Sequence, residues 1–272
     1  MKKLDNIKNI VCVASGKGGV GKSTTAANLA VALVLQGNKV GLLDADIYGP
    51  SLPLMMGVPS GTRPKIKDKR LMLPIMAHGV ECNSMGFLVD EKTAMVWRAP
   101  MVVSAFNQIL NDTAWSELDY LVVDMPPGTG DIQLSLAQSV KVTGAVIVTT
   151  PQDMALLDAA KGIEMFNKVD VPILGVVENM STHVCANCGH EEAIFGSGGG
   201  DRLSRDYGVE VIARLPLDMA IREQTDLGNP VVASGTSDVV AKAYLQLASN
   251  VEEQLAKLAG GSSGPNITIS ND

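Results

Sequence analysis

The run Gly16-Lys17-Gly18-Gly19-Val20-Gly21-Lys22-Ser23 fixes more about this chain than any other stretch. It fits G-x-x-x-x-G-K-[ST] and lies between an apolar run of strand type (9–15, NIVCVAS) and a stretch of helical length and composition (22–36), which Gly37-Asn38 closes. Glycines let a backbone wrap closely around phosphate, and successive N–H groups then point into the loop. A helix opening at Lys22 adds the positive end of its dipole. In such a loop Gly16, Lys17, Gly18, Gly19, Val20, Gly21, Lys22, Ser23 and Thr24 contact a nucleotide. Lys22 bridges its terminal phosphates and the Ser23 hydroxyl ligates Mg²⁺.

A strand–loop–helix opening demands a sheet behind it. Residues 39–44 read as a second buried strand, so the first crossover is parallel and right-handed. Further apolar runs at 119–124, 143–149, 171–177 and 209–214 are predicted strands, and 101–111, 131–140, 153–168, 198–207 and 237–258 are predicted helices. Continuously apolar strands between helices imply an α/β fold with a mostly parallel central sheet covered by helices on both faces. We read residues 1–259 as a single domain, with an insertion at 50–96, a glycine- and cysteine-bearing loop at 181–200 and a disordered tail over 260–272. The net charge of −7 argues against a general nucleic-acid binder. No apolar segment is long enough to span a bilayer, and the charged N-terminus is unlike a signal peptide, so the expected location is cytoplasmic.

Carboxylates follow the strands at the edge where ligands sit in open α/β sheets. Asp44 ends the second strand, as a cap or behind the Mg²⁺, and Asp46 follows it. Either is placed to orient a water beside a terminal phosphate. Asp124 closes Tyr120-Leu121-Val122-Val123, a pattern that holds a carboxylate next to Mg²⁺, usually through a water. In the loop after it, the Gly128 N–H is placed to meet the terminal phosphate, and Asp131 to cap the next helix. Glu178-Asn179-Met180 ends another strand, where a side-chain amide can pair with an adenine edge.

Four cysteines are too few for a disulfide scaffold. Cys12 and Cys82 read as core thiols. Cys185 and Cys188 have C-x₂-C spacing within His183-Val184-Cys185-Ala186-Asn187-Cys188-Gly189-His190. A complete metal site needs about four ligands. Three arrangements fit: one pair from each of two subunits sharing a cluster, a zinc knuckle of Cys185, Cys188, His183 and His190, or a dithiol redox pair. The Lys/Arg cluster at 63–70 reads as a solvated face.

The loop GKGGVGKST resembles the deviant Walker A loop of the MinD, ParA and nitrogenase iron protein group. That resemblance implies that Lys17 reaches the nucleotide of the opposing subunit in a closed dimer, that Asp46 is the catalytic switch carboxylate, and that Asn179 and the segment around Pro216 flank the base. Together with DADIYGPSLP, VVDMPPGTGD, the ENM turn and CANCGH followed by IFGSGGG, the chain resembles Mrp/ApbC-type iron–sulfur cluster carrier ATPases from Ile10 to about residue 250. The resemblance implies an ATP- and Mg²⁺-dependent homodimer. Cys185 and Cys188 of two subunits would share a bridging 4Fe–4S cluster, received from scaffold proteins and passed to apo-protein clients, with no nucleic acid or membrane partner. Many of these relatives carry a small extra N-terminal domain, whose function a partner supplies or which is absent here. A positioning ATPase of the MinD/ParA kind would favour a basic amphipathic last helix, whereas 251–258 is mixed in charge. A reductase like the nitrogenase iron protein would carry single, widely spaced cysteines.

Overall fold

The computed structural model describes residues 4–68, 70–88 and 98–261. The chain opens with strand β1 (Ile7–Ala14), helix α1 (Lys22–Leu35), strand β2 (Val40–Asp44) and a one-turn helix α2 (Leu52–Met55). Four short strands follow: β3 (Ile66–Lys67), β4 (Leu71–Met72), β5 (Ile75–Ala77) and β6 (Val80–Ser84). Then come α3 (Ala99–Asn111), β7 (Leu118–Asp124), α4 (Asp131–Ser139), β8 (Gly144–Thr149), α5 (Asp153–Asn167) and β9 (Ile173–Glu178). A small hairpin of β10 (His183–Val184) and β11 (Glu191–Glu192) precedes α6 (Gly199–Tyr207), β12 (Val211–Arg214), α7 (Met219–Asp226), α8 (Val231–Ser234) and α9 (Asp238–Gly261).

Eight strands form one sheet in the order β12-β9-β8-β1-β7-β2-β6-β5. Every pairing is parallel except β5 with β6 at the edge. Alternate side chains of β1 explain why its run from Ile10 to Ala14 is apolar. Val11 and Val13 face a core shared with α1, α2, α8 and α9. Ile10, Cys12 and Ala14 face a second core shared with α3, α4, α5 and α6. A strand covered on both faces has no position left for a polar residue.

The predicted strands and helices are all present. The stretch read as an insertion that could hold short strands or a hairpin does contain short strands, and one of them, β6, pairs with β2 in the main sheet. Its sequence, Val-Glu-Cys-Asn-Ser, lacks an apolar run. Asn83 and Ser84 are buried all the same, and hydrogen bonds compensate: Asn83 donates to Thr113 Oγ1, and Ser84 Oγ donates to Asp44 Oδ2 at 3.0 Å. Residues 89–96 of that stretch lie outside the described residues. Helix α9 extends through Gly261, past the expected tail start at Gly260, and 262–272 lie outside the described residues. Helix α7 went unpredicted because none of its residues is buried; its start is set by Asp218, whose carboxylate accepts from Ala220 N at 2.7 Å. Among the described residues, no helix is long and apolar enough to cross a membrane.

Candidate functional site

The C-terminal ends of β1, β2, β7, β8 and β9 converge on the loop Gly16–Ser23. Gly16 is there because nothing larger fits: a Cβ would lie 2.0 Å from the backbone oxygen of Asp158 on α5. Gly21 turns the chain into α1 with φ 85°, and a Cβ there would press on the Asn179 amide at 2.2 Å. Asn179 comes from the end of β9 and donates from Nδ2 to the Val20 carbonyl at 2.8 Å. Its amide nitrogen therefore grips the loop. Lys17 is exposed at the loop's crest, where Ser15 Oγ donates to its carbonyl at 2.9 Å.

Lys22 is buried although charged, and its partner is Asp124, the last residue of β7, at 2.5 Å. The same ammonium lies 3.1 Å from Ser23 Oγ. Burial pushes the Asp124 carboxyl upward, opposed by Lys22 and Ser23. Its second oxygen, Oδ2, is buried and has no hydrogen-bond partner among the described residues. An orphaned, desolvated carboxylate oxygen beside a serine hydroxyl is the donor set a hard divalent cation takes. The residues present thus fit Mg²⁺.

Asp44 is aligned with Asp124 on the neighbouring strand. It is fully buried and accepts from Asp46 N at 3.0 Å, Leu52 N at 3.3 Å and Ser84 Oγ at 3.0 Å. Burial, then the charge of Asp124, pushes its carboxyl up to about 7, against the hydrogen bonds and Lys22. Asp44 thus shapes the loop that carries Asp46 rather than facing solvent. Asp46 is half-buried, accepts from Gly49 N at 3.3 Å, and lies close enough to Asp124 to raise its pKa.

One expectation for the loop after β7 is corrected, that for Asp131. The Gly128 N–H donates to Ser15 O at 2.9 Å and so ties this loop to the phosphate loop. Asp131 is the first residue of α4, not its cap. Gln133 closes the turn, accepting from Gly130 N at 3.0 Å and donating to Pro127 O at 2.6 Å.

Pro216 is half-buried in a segment that runs alongside the Asn179 turn. Leu215 N donates to Glu178 O at 2.9 Å, Ser181 N to Leu215 O at 2.9 Å and Leu217 N to Thr182 O at 2.8 Å. Glu178, missed by sequence reasoning, is buried. It accepts from Gly200 N at 2.5 Å and pairs with Arg214 at 3.5 Å, fastening α6 to β9. Its place directly after an apolar strand was the one available signal.

The hairpin continues from that same edge. β10 and β11 pair antiparallel, and the turn between them is held by Cys185 N donating to His190 O at 2.9 Å and Gly189 N to Cys185 O at 2.8 Å. Cys185 is half-buried and Cys188 exposed, and both are free thiols. The N–H groups of Asn187 and Cys188 hold the Cys185 thiol below its ordinary pKa, as in turns that stabilise thiolate ligands. The single-chain zinc arrangement is not assembled. The His183 ring is bonded through Nδ1 to Leu217 O at 3.0 Å, and His190 lies beside Glu192. Among the described residues, no cluster of three or more His, Cys, Asp or Glu is arranged to hold a metal ion. Cys12 and Cys82 are buried in the cores, where loss of solvent pushes both thiols up to about 12.

The parallel sheet, the glycine cradle and the lysine-paired strand-end carboxylate define a P-loop NTPase. The family model described as ParA: NUBPL iron-transfer P-loop NTPase matches residues 6–252. The chain belongs to this family. It is 64% identical over 245 residues to an iron–sulfur cluster carrier protein of Pseudomonas fragi, a match spanning 90% of this chain and 85% of that one. Among solved structures, it is similar to a nucleotide-binding protein of Archaeoglobus fulgidus in complex with ADP, with cobalt found (TM-score 0.75, 39% identity, 85% of this chain and 90% of that one). It is also similar to the cell division ATPase MinD of Pyrococcus furiosus (TM-score 0.68, 26% identity, 90% and 99%).

Proposed function

We propose that this protein is an ATP-hydrolysing carrier that holds a 4Fe–4S cluster between two copies of the chain and transfers it to apo-proteins. The observation that carries the reading is the half-site. Cys185 and Cys188 stand on an outlying turn, with no further ligand arranged around them among the described residues. Two thiolates make half the coordination a cluster requires, and a two-fold axis supplies the other half. The name of the Pseudomonas fragi relative agrees with this reading.

The chemistry follows from the loop's residues. The N–H groups of 16–24 bind the phosphates of ATP, and Lys22 leaves Asp124 to neutralise the terminal ones. Mg²⁺, held by Ser23 and through water by Asp124, supplies charge neutralisation at the phosphates. Asp46 orients the attacking water, and Asp44 fixes the loop on which Asp46 rides. Lys17, exposed and unencumbered by burial, reaches across the dimer to the partner's nucleotide, a cation delivered to developing charge. Asn179 and Pro216 border the base, with the Asn179 carbonyl oxygen accepting from the adenine amino group. Scaffold proteins load the cluster and apo-proteins receive it, in a reducing compartment such as the cytoplasm, which suits four unpaired thiols. A membrane-positioning role fits less well: α9 buries Val240, Tyr244, Leu247 and Val251 against the domain core.

The test is anaerobic reconstitution, with transfer to an apo-ferredoxin as readout. Wild type is expected to take up iron and sulfide and to activate the acceptor, and Cys185→Ala/Cys188→Ala to do neither. Equal uptake by both overturns the assignment.

A further inference from the structure

The mechanism above leaves His183 unused, although its ring closes a continuous ladder between the nucleotide edge and the cysteine turn. The ladder extends the β9–β12 pairing past the ends of both strands. Leu215 N donates to Glu178 O, Ser181 N and Ser181 Oγ (3.1 Å) both donate to Leu215 O, and Leu217 N donates to Thr182 O. The next rung is a side chain: His183 Nδ1 meets Leu217 O at 3.0 Å. Beyond that rung the two chains diverge. Residues 183–184 become β10 and lead into Cys185, while Asp218 caps α7. The same stretch is anchored at its other end to the phosphate loop, through Asn179 and Val20 O.

We propose that His183 is the positioning residue that couples the nucleotide site to the cysteine pair. The inference rests on the reading above, in which residues around Pro216 border the base. Leu217 is one residue from Pro216, and Cys185 is two residues from His183. A displacement of the 215–217 backbone on nucleotide binding therefore reaches the cysteine turn through the last rungs of the ladder, and the His183 rung is the one nearest Cys185. Without that bond the last rung of the ladder is Leu217 N to Thr182 O, one residue further from Cys185. Coupling between two sites needs an element whose arrangement both sites bias. The 181–183/215–217 ladder is placed to be that element, because one of its strands borders each site.

Asparagine and histidine place a nitrogen at similar reach from the backbone, so His183→Asn can keep the bond to Leu217 O, whereas His183→Ala cannot. The readout needs no cluster: the rate at which a maleimide alkylates Cys185 and Cys188 in the reduced full-length protein, with and without Mg²⁺ and a non-hydrolysable ATP analogue. For wild type the nucleotide is expected to change the rate at least about fivefold, the low end of energetic coupling between linked sites. His183→Ala is expected to reduce the change to less than twofold with nucleotide affinity retained, and His183→Asn to restore it. A nucleotide response in His183→Ala equal to that of wild type overturns the proposal, as does a wild type that binds the analogue without any change in thiol reactivity. A variant that merely misfolds loses analogue binding as well, and His183→Asn then decides: an undiminished response supports the proposal, and a lost one overturns it. The carrier reading is judged separately, by the iron and sulfide content of reconstituted wild type.

Discussion

Lys22 and Asp124 form an ion pair in which neither partner has water to fall back on. Such a pair adds little net stability, but removing one partner leaves a buried charge uncompensated. Lys22→Ala is expected to abolish Mg²⁺-dependent ATP hydrolysis and to cost about 3 kcal/mol near neutral pH. That cost should shrink as acid protonates Asp124, which urea unfolding at two pH values measures. Asp44 gives a second pH signature. Its carboxyl titrates near 7 in the fold, against an ordinary value of 3.8. Between those values the folded chain holds a proton that the unfolded chain has released, so this group's contribution to stability is complete below about pH 4 and is lost as pH rises through 7. Asp44→Asn should flatten that decline, by an amount on the order of 2–4 kcal/mol between pH 4 and 8. The variant also changes the acceptors offered to Asp46 N, Leu52 N and Ser84, so the slope of stability against pH is the quantity to compare. Parallel slopes for the two proteins contradict the assignment.

At the scale of elements, the phosphate loop is held from three directions: by α5 behind Gly16, by Asn179 from β9, and by Gly128 from the loop after β7. Gly16→Ala forces a methyl group into the Asp158 backbone, which has no rotamer to yield. We expect a loss of about 1–3 kcal/mol in stability and a fall of about tenfold or more in nucleotide affinity, measured by thermal unfolding and by titration with a fluorescent ATP analogue. Unchanged affinity contradicts the reading that this packing sets the loop's shape. The elements most readable in the sequence were those whose physics is local. Residues 10–14 are apolar because both faces of β1 are covered, and the glycine cradle is recognisable because phosphate demands backbone N–H groups. β6 was hidden because Asn83 and Ser84 satisfy their polar groups with partners distant in the chain, at Thr113 and Asp44. α7 was hidden because none of its residues is fully buried. The His183–Leu217 contact joins residues 34 apart, and no periodicity reports it.

At the scale of the whole molecule, the sheet gathers the phosphate loop, Asp46, Asp124, Asn179 and Pro216 at its C-terminal edge, and the cysteine hairpin leaves from that edge. On the proposed reading, one chain carries a nucleotide site and half of a cluster site. The two sites differ in kind: the first is buried and cross-braced, the second is an exposed turn from which cargo can depart. Completion by a second copy is therefore the central claim. The most direct measurement is native mass spectrometry of the anaerobically reconstituted protein, with iron and acid-labile sulfide determined on the same sample. The account predicts a dimer bearing one 4Fe–4S cluster per two chains, reverting to cluster-free chains in Cys185→Ala/Cys188→Ala. A cluster-loaded monomer, or a metal bound one per chain and retained by the double variant, contradicts it.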